Sequence, residues 1–366
     1  MRPRALLLAP LVPGETGNGL SMRAGVWLEV LADAYDVDLV VIPLYGSHRS
    51  APNFTRRHAS TILIAQPIPI EATKSFELSD DSKRALHELE SEADLVVVFR
   101  LVLAPLISVQ SNMAQTRILD LDDIDWRREQ DLGNAELPSI LKNSAVQLAH
   151  NFDLVTAANE LEFESYAKDL KVKAFAPISN IARGPSPKAN NSHEPPFDLV
   201  FVGTLGYEPN YLGITWFLEE VLPLMDPNVK VGIVGANPPV ALTELQNPQV
   251  RVFADVDEVT SFYHSAKLAI VPLQSGSGTR TKILEAWSHG LPVVSTTLGA
   301  EGIDIKDAGI LANSAAEFAA ACSIFLKDSG LLRRQGEAGR SRWRSDFSLE
   351  HARQQINTAI TIARQG

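Results

Sequence analysis

At 366 residues the chain is longer than one hydrophobic core usually organises, so two domains of roughly 180 residues each are expected. Apolar residues make up 45% and charged residues 21%, which excludes a chain that is disordered throughout. The formal net charge of −11 excludes broad binding to nucleic-acid phosphates, and the single cysteine, Cys322, excludes an internal disulfide and fits a reducing, cytoplasmic setting.

The N-terminus offers Arg2, Arg4 and an apolar run, as a signal peptide does, but the run is short and Pro10 and Pro13 break it. It reads as a first buried strand, Ala5 to Ala9, and no stretch approaches the roughly 18 continuous apolar residues of a membrane span. A loop carrying Pro10, Pro13, Gly14, Gly17 and Gly19 leads into a helix with Val26, Trp27, Val30 and Leu31 on one stripe. Strand, glycine loop and helix start together present backbone amides to an anion. The glycine spacing does not match Gly-x-Gly-x-x-Gly, which disfavours a nicotinamide cofactor. Arg23, on the same helix, is either a basic ligand contact or a solvent-facing residue of an amphipathic helix.

Further strands are expected at Val37 to Ile42, Thr61 to Ile64, Leu95 to Phe99, Arg117 to Leu121 and Leu154 to Ala157, with helices such as Asp80 to Ser91 and Pro138 to His150 between them. This alternation predicts an α/β fold, a parallel sheet covered by helices on both faces, whose ligands gather at the carboxyl ends of the strands. One such end reads Leu119-Asp-Leu-Asp-Asp-Ile-Asp-Trp. Three roles are open to its carboxylates: a divalent metal, a cleft-lining carboxylate from Asp122 or Asp123 that orients ligand hydroxyls, or capping of the next helix. His48, His58, His87 and His150 read as surface or helix-face residues.

Residues 179–196 are rich in Pro, Asn and Ser and keep no apolar period, so they form the expected linker, where a hinge could sit. A second run of strands follows at Phe197 to Val202, Val229 to Val234, Val250 to Phe253, Leu268 to Leu273, after Pro292, and at Ile310-Leu311. Helices are expected near Pro209, over Thr279 to His289, over Ala315 to Lys327, from Leu331 toward Trp343, and from Phe347 to Ala363. The turn after the first of these strands, Gly203-Thr204-Leu205-Gly206, again precedes a helix.

The chain is organised around Val271 to Gly302: strand, glycine-rich turn (Gly276, Gly278), helix, and a second strand. The glycines let the backbone approach a ligand, and the helix start favours an anion. Arg280 and Lys282 sit at the helix terminus where cations are normally disfavoured, which points to an anionic ligand. Glu285 follows Lys282 by three residues and shares its face. It could accept from paired sugar hydroxyls, or the two could form a surface ion pair on an ordinary crossover helix. Gly290 is an expected left-handed cap, with Pro292 ending the helix.

The run Gly276 to Ala286, Gly-Ser-Gly-Thr-Arg-Thr-Lys-Ile-Leu-Glu-Ala, followed by Gly290 to Gly302, resembles the donor-site signature of retaining GT-B glycosyltransferases of family 4, also called group 1, in the branch associated with bacterial exopolysaccharide synthesis. Phe201 to Leu218 resembles the opening strand, loop and helix of that family's C-terminal domain, and with Gly17, Gly19 and Arg23 the resemblance spans nearly the whole chain. It implies two Rossmann-like domains facing a cleft: residues 1–178 on the acceptor side, a linker at 179–196, a nucleotide-sugar domain at 197–345, and a terminal helix at 346–366 crossing back to the first domain.

The resemblance also assigns roles. Glu285 would hold the nucleotide ribose, while Arg280, Lys282 and the turn Ser277-Gly278-Thr279 would hold the diphosphate. Gly203 and Thr204, together with Gly17, Gly19 and Arg23, would lie near the donor phosphates, and Ala254 beside the base. The sequence departs from the family at three places. Ser277 stands where the first of two glutamates spaced eight apart is common, and Thr204 and Asn210 stand at or near an Arg and a Lys of many relatives. The family's N-domain histidine has no evident counterpart.

The implied activity is transfer of a sugar from a nucleoside diphosphate sugar, UDP- or GDP-linked, to a hydroxyl on a glycan, a lipid-linked sugar or a small molecule, with no metal or cofactor. The implied protein is a cytoplasmic monomer or homodimer without a transmembrane segment, in peripheral membrane contact if its acceptor is lipid-linked. The alternatives are a non-catalytic sugar-nucleotide-binding partner subunit on the same fold and a nucleotide-sugar epimerase of the same two-domain architecture.

Overall fold

Short apolar runs such as Leu95-Val-Val-Val-Phe99, fully buried at every position, are what a strand covered on both faces requires. In the computed structural model, which describes residues 2–365 except 17–18, 45–50, 71–74, 109–113, 123–124, 132, 159–169, 171, 186–196, 246, 257 and 277–279, they build two parallel sheets. The chain divides into two units, one of residues 1–180 with 352–366 and one of 181–351.

The first unit contains β1 (Arg4–Ala9), β2 (Asp36–Val41), β3 (Thr61–Ile64), β4 (Pro67–Ile70), β5 (Ser75–Leu78), β6 (Leu95–Phe99), β7 (Thr116–Asp120), β8 (Leu154–Ala157) and β9 (Phe175–Pro177). Its main sheet runs β3-β2-β1-β6-β7-β8-β9, parallel throughout, and β4 and β5 form a separate antiparallel pair. The strand order reverses between β1 and β6, so the carboxyl ends of these two strands open the crevice where such sheets bind ligands. Helix Leu349–Gln365 contributes its last fourteen residues to this unit, where Arg364 donates to the Tyr35 hydroxyl at 2.7 Å, Gln355 accepts from the Ser179 amide at 2.9 Å, and Arg353 pairs with Asp33.

The second unit contains β10 (Phe197–Val202), β11 (Val231–Gly235), β12 (Val250–Ala254), β13 (Ala266–Val271), β14 (Val293–Ser295) and β15 (Gly309–Leu311), in the order β12-β11-β10-β13-β14-β15, again all parallel. Alternate residues of β10 feed opposite faces: Leu199 and Phe201 join one core with Phe217, Phe318 and Phe325, while Val200 and Val202 join another with Ile283, Leu284 and Trp287. The reversal falls between β10 and β13. The loops after those two strands are Gly203–Gly206 and the glycine-rich turn, the two segments singled out from sequence.

Several boundaries moved. The strand expected at Leu268 to Leu273 runs from Ala266 to Val271, because Pro272 has no N–H to continue the ladder. The helix expected over Thr279 to His289 occupies Thr281–Ser288, ending with Gly290 at φ +76°, the left-handed cap anticipated. Residues 181–184, expected in the linker, lie in the second unit, where the Ala182 N–H donates to Phe347 O at 3.2 Å and Trp343 donates to Ala182 O at 2.7 Å.

Candidate active site

At the reversal point of the second sheet, β10 ends at Gly203. A Cβ there would lie 2.7 Å from Lys282 Cε and 3.1 Å from Asn210 Nδ2, so the absence of a side chain is what lets Lys282 lie across the strand end. Asn210, near the start of helix Glu208–Trp216, is buried, and its amide nitrogen donates to Thr204 O at 2.8 Å to close the turn. Its Oδ1 is buried with no hydrogen-bond partner among the described residues.

The loop after β13 carries Gly276 at φ +97°, where only glycine is free of strain. Arg280 is buried, donating to Gly276 O at 2.7 Å and to Glu301 at 3.3 Å. Lys282 makes no hydrogen bond or ion pair with the described residues, and burial lowers its ammonium pKa to about 8, with Glu285 opposing and Arg280 assisting the shift. Ser277, Gly278 and Thr279 lie outside the described residues, as does Gly17.

Glu285 is one turn further along. Burial pushes its carboxyl pKa up, against the hydrogen bond from Tyr263 and the charge of Lys282. The Tyr263 hydroxyl donates to Glu285 Oε2 at 3.1 Å, and its ring stacks on His289 at 4.6 Å between centroids. These two supports were not read from sequence, although His289, four residues after Glu285, carried the signal of a shared helix face. Ala254 is exposed at the end of β12; beside it Asp255 (φ +51°) accepts at 2.8 Å from the amide of Asn237 (φ +54°), which pins the loop in two left-handed turns.

The first unit gathers a separate charged cluster at the carboxyl ends of β6 and β7. Gly19 opens helix Gly19–Ala34, and Arg23 from that helix is buried, not solvent-facing. Its guanidinium donates to Asp120 at 2.9 and 3.0 Å, to Ile178 O at 2.7 Å and to Asn180 at 3.0 Å. Asp120 also accepts from Trp27 and from the Asp122 amide, so the structure occupies Arg23 with an internal carboxylate where the resemblance implied a donor phosphate. Asp122 is buried at φ +60°, beside Arg100 at φ +82°, with Arg100 Nη1 donating to Asp122 at 3.2 Å and Nη2 reaching Asp125. Asp123 lies outside the described residues. Two non-glycine residues held in the left-handed region within one cluster show that the surroundings over-determine it. Arg100 was missed from sequence because nothing local marks an arginine after a buried strand.

Residues 196–328 match the model of a family described as glycosyl transferases group 1. The chain is a GT-B protein with a group 1 glycosyltransferase domain. An uncharacterised protein of the cps region of Klebsiella pneumoniae is 27% identical over 118 residues, 29% of this chain and 30% of that protein's length, so the match spans under a third of that curated relative. HepE of Anabaena, solved with UDP and glucose, shares the fold with a TM-score of 0.71 at 14% identity over 98% of this chain and 99% of its own. A sucrose-phosphate synthase of Thermosynechococcus elongatus gives a TM-score of 0.67 at 16% identity over 98% of both chains.

Proposed function

We propose that this chain is a retaining glycosyltransferase that moves a sugar from a nucleoside diphosphate sugar to a hydroxyl acceptor. The observation that carries it is the Lys282 ammonium, laid over Gly203 at the sheet's reversal point, with the Arg280 guanidinium two residues away and no carboxylate paired to Lys282 among the described residues. A cation kept without a partner in a half-buried position is costly unless an anion arrives. A diphosphate supplies it. Gly278 and Thr279, which the resemblance assigns to the diphosphate, would share that load, and Glu285 would accept from the ribose hydroxyls.

In the transfer, the acceptor oxygen bonds to the anomeric carbon on the face from which the diphosphate departs, and a phosphate oxygen of the leaving group takes the acceptor's proton. Negative charge grows on the diphosphate, and Arg280 and Lys282 are the groups placed to stabilise it; the proposed transfer includes no metal. HepE, solved with UDP and glucose, supports a UDP-sugar; a GDP-sugar is the other donor considered. Asp122 of the first unit is the carboxylate assigned to the acceptor or sugar hydroxyls. The acceptor hydroxyl belongs to a glycan, a lipid-linked sugar or a small molecule, and the cps-region relative supports the first two. Among the described residues no helix is long and apolar enough to cross a membrane. A cytoplasmic monomer or homodimer is part of the same proposal.

The neutral Asn210 and Thr204, and Ser277 in place of a glutamate, favour one other reading, a sugar-nucleotide-binding partner that does not turn over. Thermal unfolding with UDP, GDP, ADP and TDP, with and without magnesium or a chelator, tests binding: a ligand at about 1,000 times its dissociation constant adds about 4 kcal/mol. Stabilisation by one nucleotide without metal, lost in Glu285→Ala, supports the donor site. Release of that nucleotide from its sugar conjugate on adding acceptor separates enzyme from partner, and no stabilisation by any of the four overturns both.

A further inference from the structure

Glu285 has three side-chain torsions, and a glutamate free to rotate must be ordered before it can hold a pair of hydroxyls. Here the ordering is already in place, and it comes from another element. Tyr263 belongs to the short helix Thr260–His264 that precedes β13, is 2% exposed, and donates its hydroxyl to Glu285 Oε2 at 3.1 Å. Its ring lies nearly parallel to the His289 imidazole, 4.6 Å between centroids with 21° between planes. His289 in turn bonds through Nδ1 to Glu285 O at 2.8 Å and through Nε2 to Thr260 Oγ1 at 3.3 Å. With Nδ1 donating to the carbonyl, Nε2 is the acceptor of the threonine hydroxyl.

These contacts close a ring. It runs from the Glu285 carboxylate to the Tyr263 hydroxyl, through the stacked rings to His289, and back to the Glu285 backbone. Thr260 ties His289 to the helix that carries Tyr263, so neither support can move alone. Each carboxylate oxygen has two acceptor sites, so one bond from Tyr263 to Oε2 leaves Oε1 whole and half of Oε2 for a ligand. Burial works against the ionised carboxylate, and the phenol's donation favours it, so the same bond that orients the group also keeps it an acceptor.

We propose that Tyr263, backed by His289, is a positioning residue for the nucleotide ribose: it fixes the Glu285 carboxylate in the orientation that accepts both ribose hydroxyls, and so sets a preference for ribonucleotide over 2′-deoxyribonucleotide donors. This rests on the donor-site reading of Glu285 given above, which assigns no role to Tyr263 or His289.

The experiment is calorimetric titration of the full chain with UDP, GDP and ADP and with their 2′-deoxy forms, in wild type, Tyr263→Phe, His289→Gln and Glu285→Ala. For whichever base binds, wild type is expected to favour the ribose form by at least about tenfold, the value of a hydrogen bond to a charged group. Tyr263→Phe should reduce that preference to about threefold or less while leaving the 2′-deoxy affinity within about twofold of wild type. Full retention of the preference in Tyr263→Phe, or an equal loss for both sugar forms, overturns the positioning role. His289→Gln gives the second arm where Tyr263→Phe fails to fold: it should weaken the preference in the same direction, and an unchanged ratio counts against the proposal. A wild type that binds no nucleotide, or binds both forms equally and no differently from Glu285→Ala, removes the ribose reading itself, and that outcome is visible before any Tyr263 variant is measured.

Discussion

Lys282 lies across Gly203 so closely that a Cβ on the glycine would meet Lys282 Cε at 2.7 Å. The obstacle is the far part of a flexible side chain, which can swing away. Gly203→Ala is therefore expected to fold with little loss of stability but to displace the ammonium and weaken nucleotide binding by about tenfold or more. Gly235 is the contrast, because a Cβ there would sit 1.7 Å from Gly203 O, a backbone atom that can yield only if the ends of β10 and β11 part. Gly235→Ala should lower the unfolding midpoint, and urea titration beside nucleotide titration on both variants separates the two outcomes.

The catalytic share of the two cations is accessible to steady-state kinetics once a donor is known. Arg280→Ala or Lys282→Ala should each lower turnover at least about tenfold, as the loss of one preorganised donor to a developing anion does. Unchanged kinetics in both variants would remove these residues from the mechanism.

The Lys282 ammonium, lowered by burial from its ordinary 10.5 to about 8, gives a pH signature. In the folded chain it releases its proton near pH 8, whereas the unfolded chain holds it to higher pH. The unfolded state thus binds more protons between the two values, so this group's destabilising effect is complete below pH 8 and is relieved as pH rises through that window. Binding a diphosphate reverses the preference, since the anion favours the charged ammonium. Nucleotide affinity should fall by up to about tenfold per unit above pH 8, with proton uptake on binding. Calorimetry in two buffers of different ionisation enthalpy reads the uptake directly, and Lys282→Met should abolish it.

Arg23 makes a prediction that separates structure from ligand binding. Its side chain and that of Asp120 are 3% and 0% exposed, and removing the guanidinium strands a carboxylate in the interior. Arg23→Ala is expected to lose about 3 to 5 kcal/mol of stability to denaturant. A variant of unchanged stability but impaired nucleotide binding would instead return Arg23 to the donor-phosphate role that the resemblance implied.

The sheets were legible because buried parallel strands declare themselves locally: Leu95 to Phe99 and Phe197 to Val202 fall where apolar runs predict. The antiparallel pair β4 and β5 was not, because Pro67 and Pro69 read as chain breakers, although proline is tolerated in a strand that need not donate on both sides. β9 has only three residues, too few for any period to show. At the site, Arg280, Lys282 and Glu285 could be read together because one short helix and the residue that precedes it carry them. Tyr263 stands 22 residues from Glu285, and Arg23 stands 97 from Asp120. No local pattern encodes such pairs; they exist only once each sheet has brought its connecting helices and strand ends side by side.

The return of residues 352–366 to the first unit has a consequence for how the chain is made. The second unit is continuous in sequence and can complete its core as soon as residue 351 has left the ribosome. The first unit, though synthesised first, lacks the contacts of Arg353, Gln355 and Arg364 with Asp33, Ser179 and Tyr35 until its second segment is made. Domains that emerge early normally fold early. Here the first unit gains its full set of contacts only after the whole of the second has been synthesised, so the apolar residues Ala352, Ile356 and Ala359 join it last.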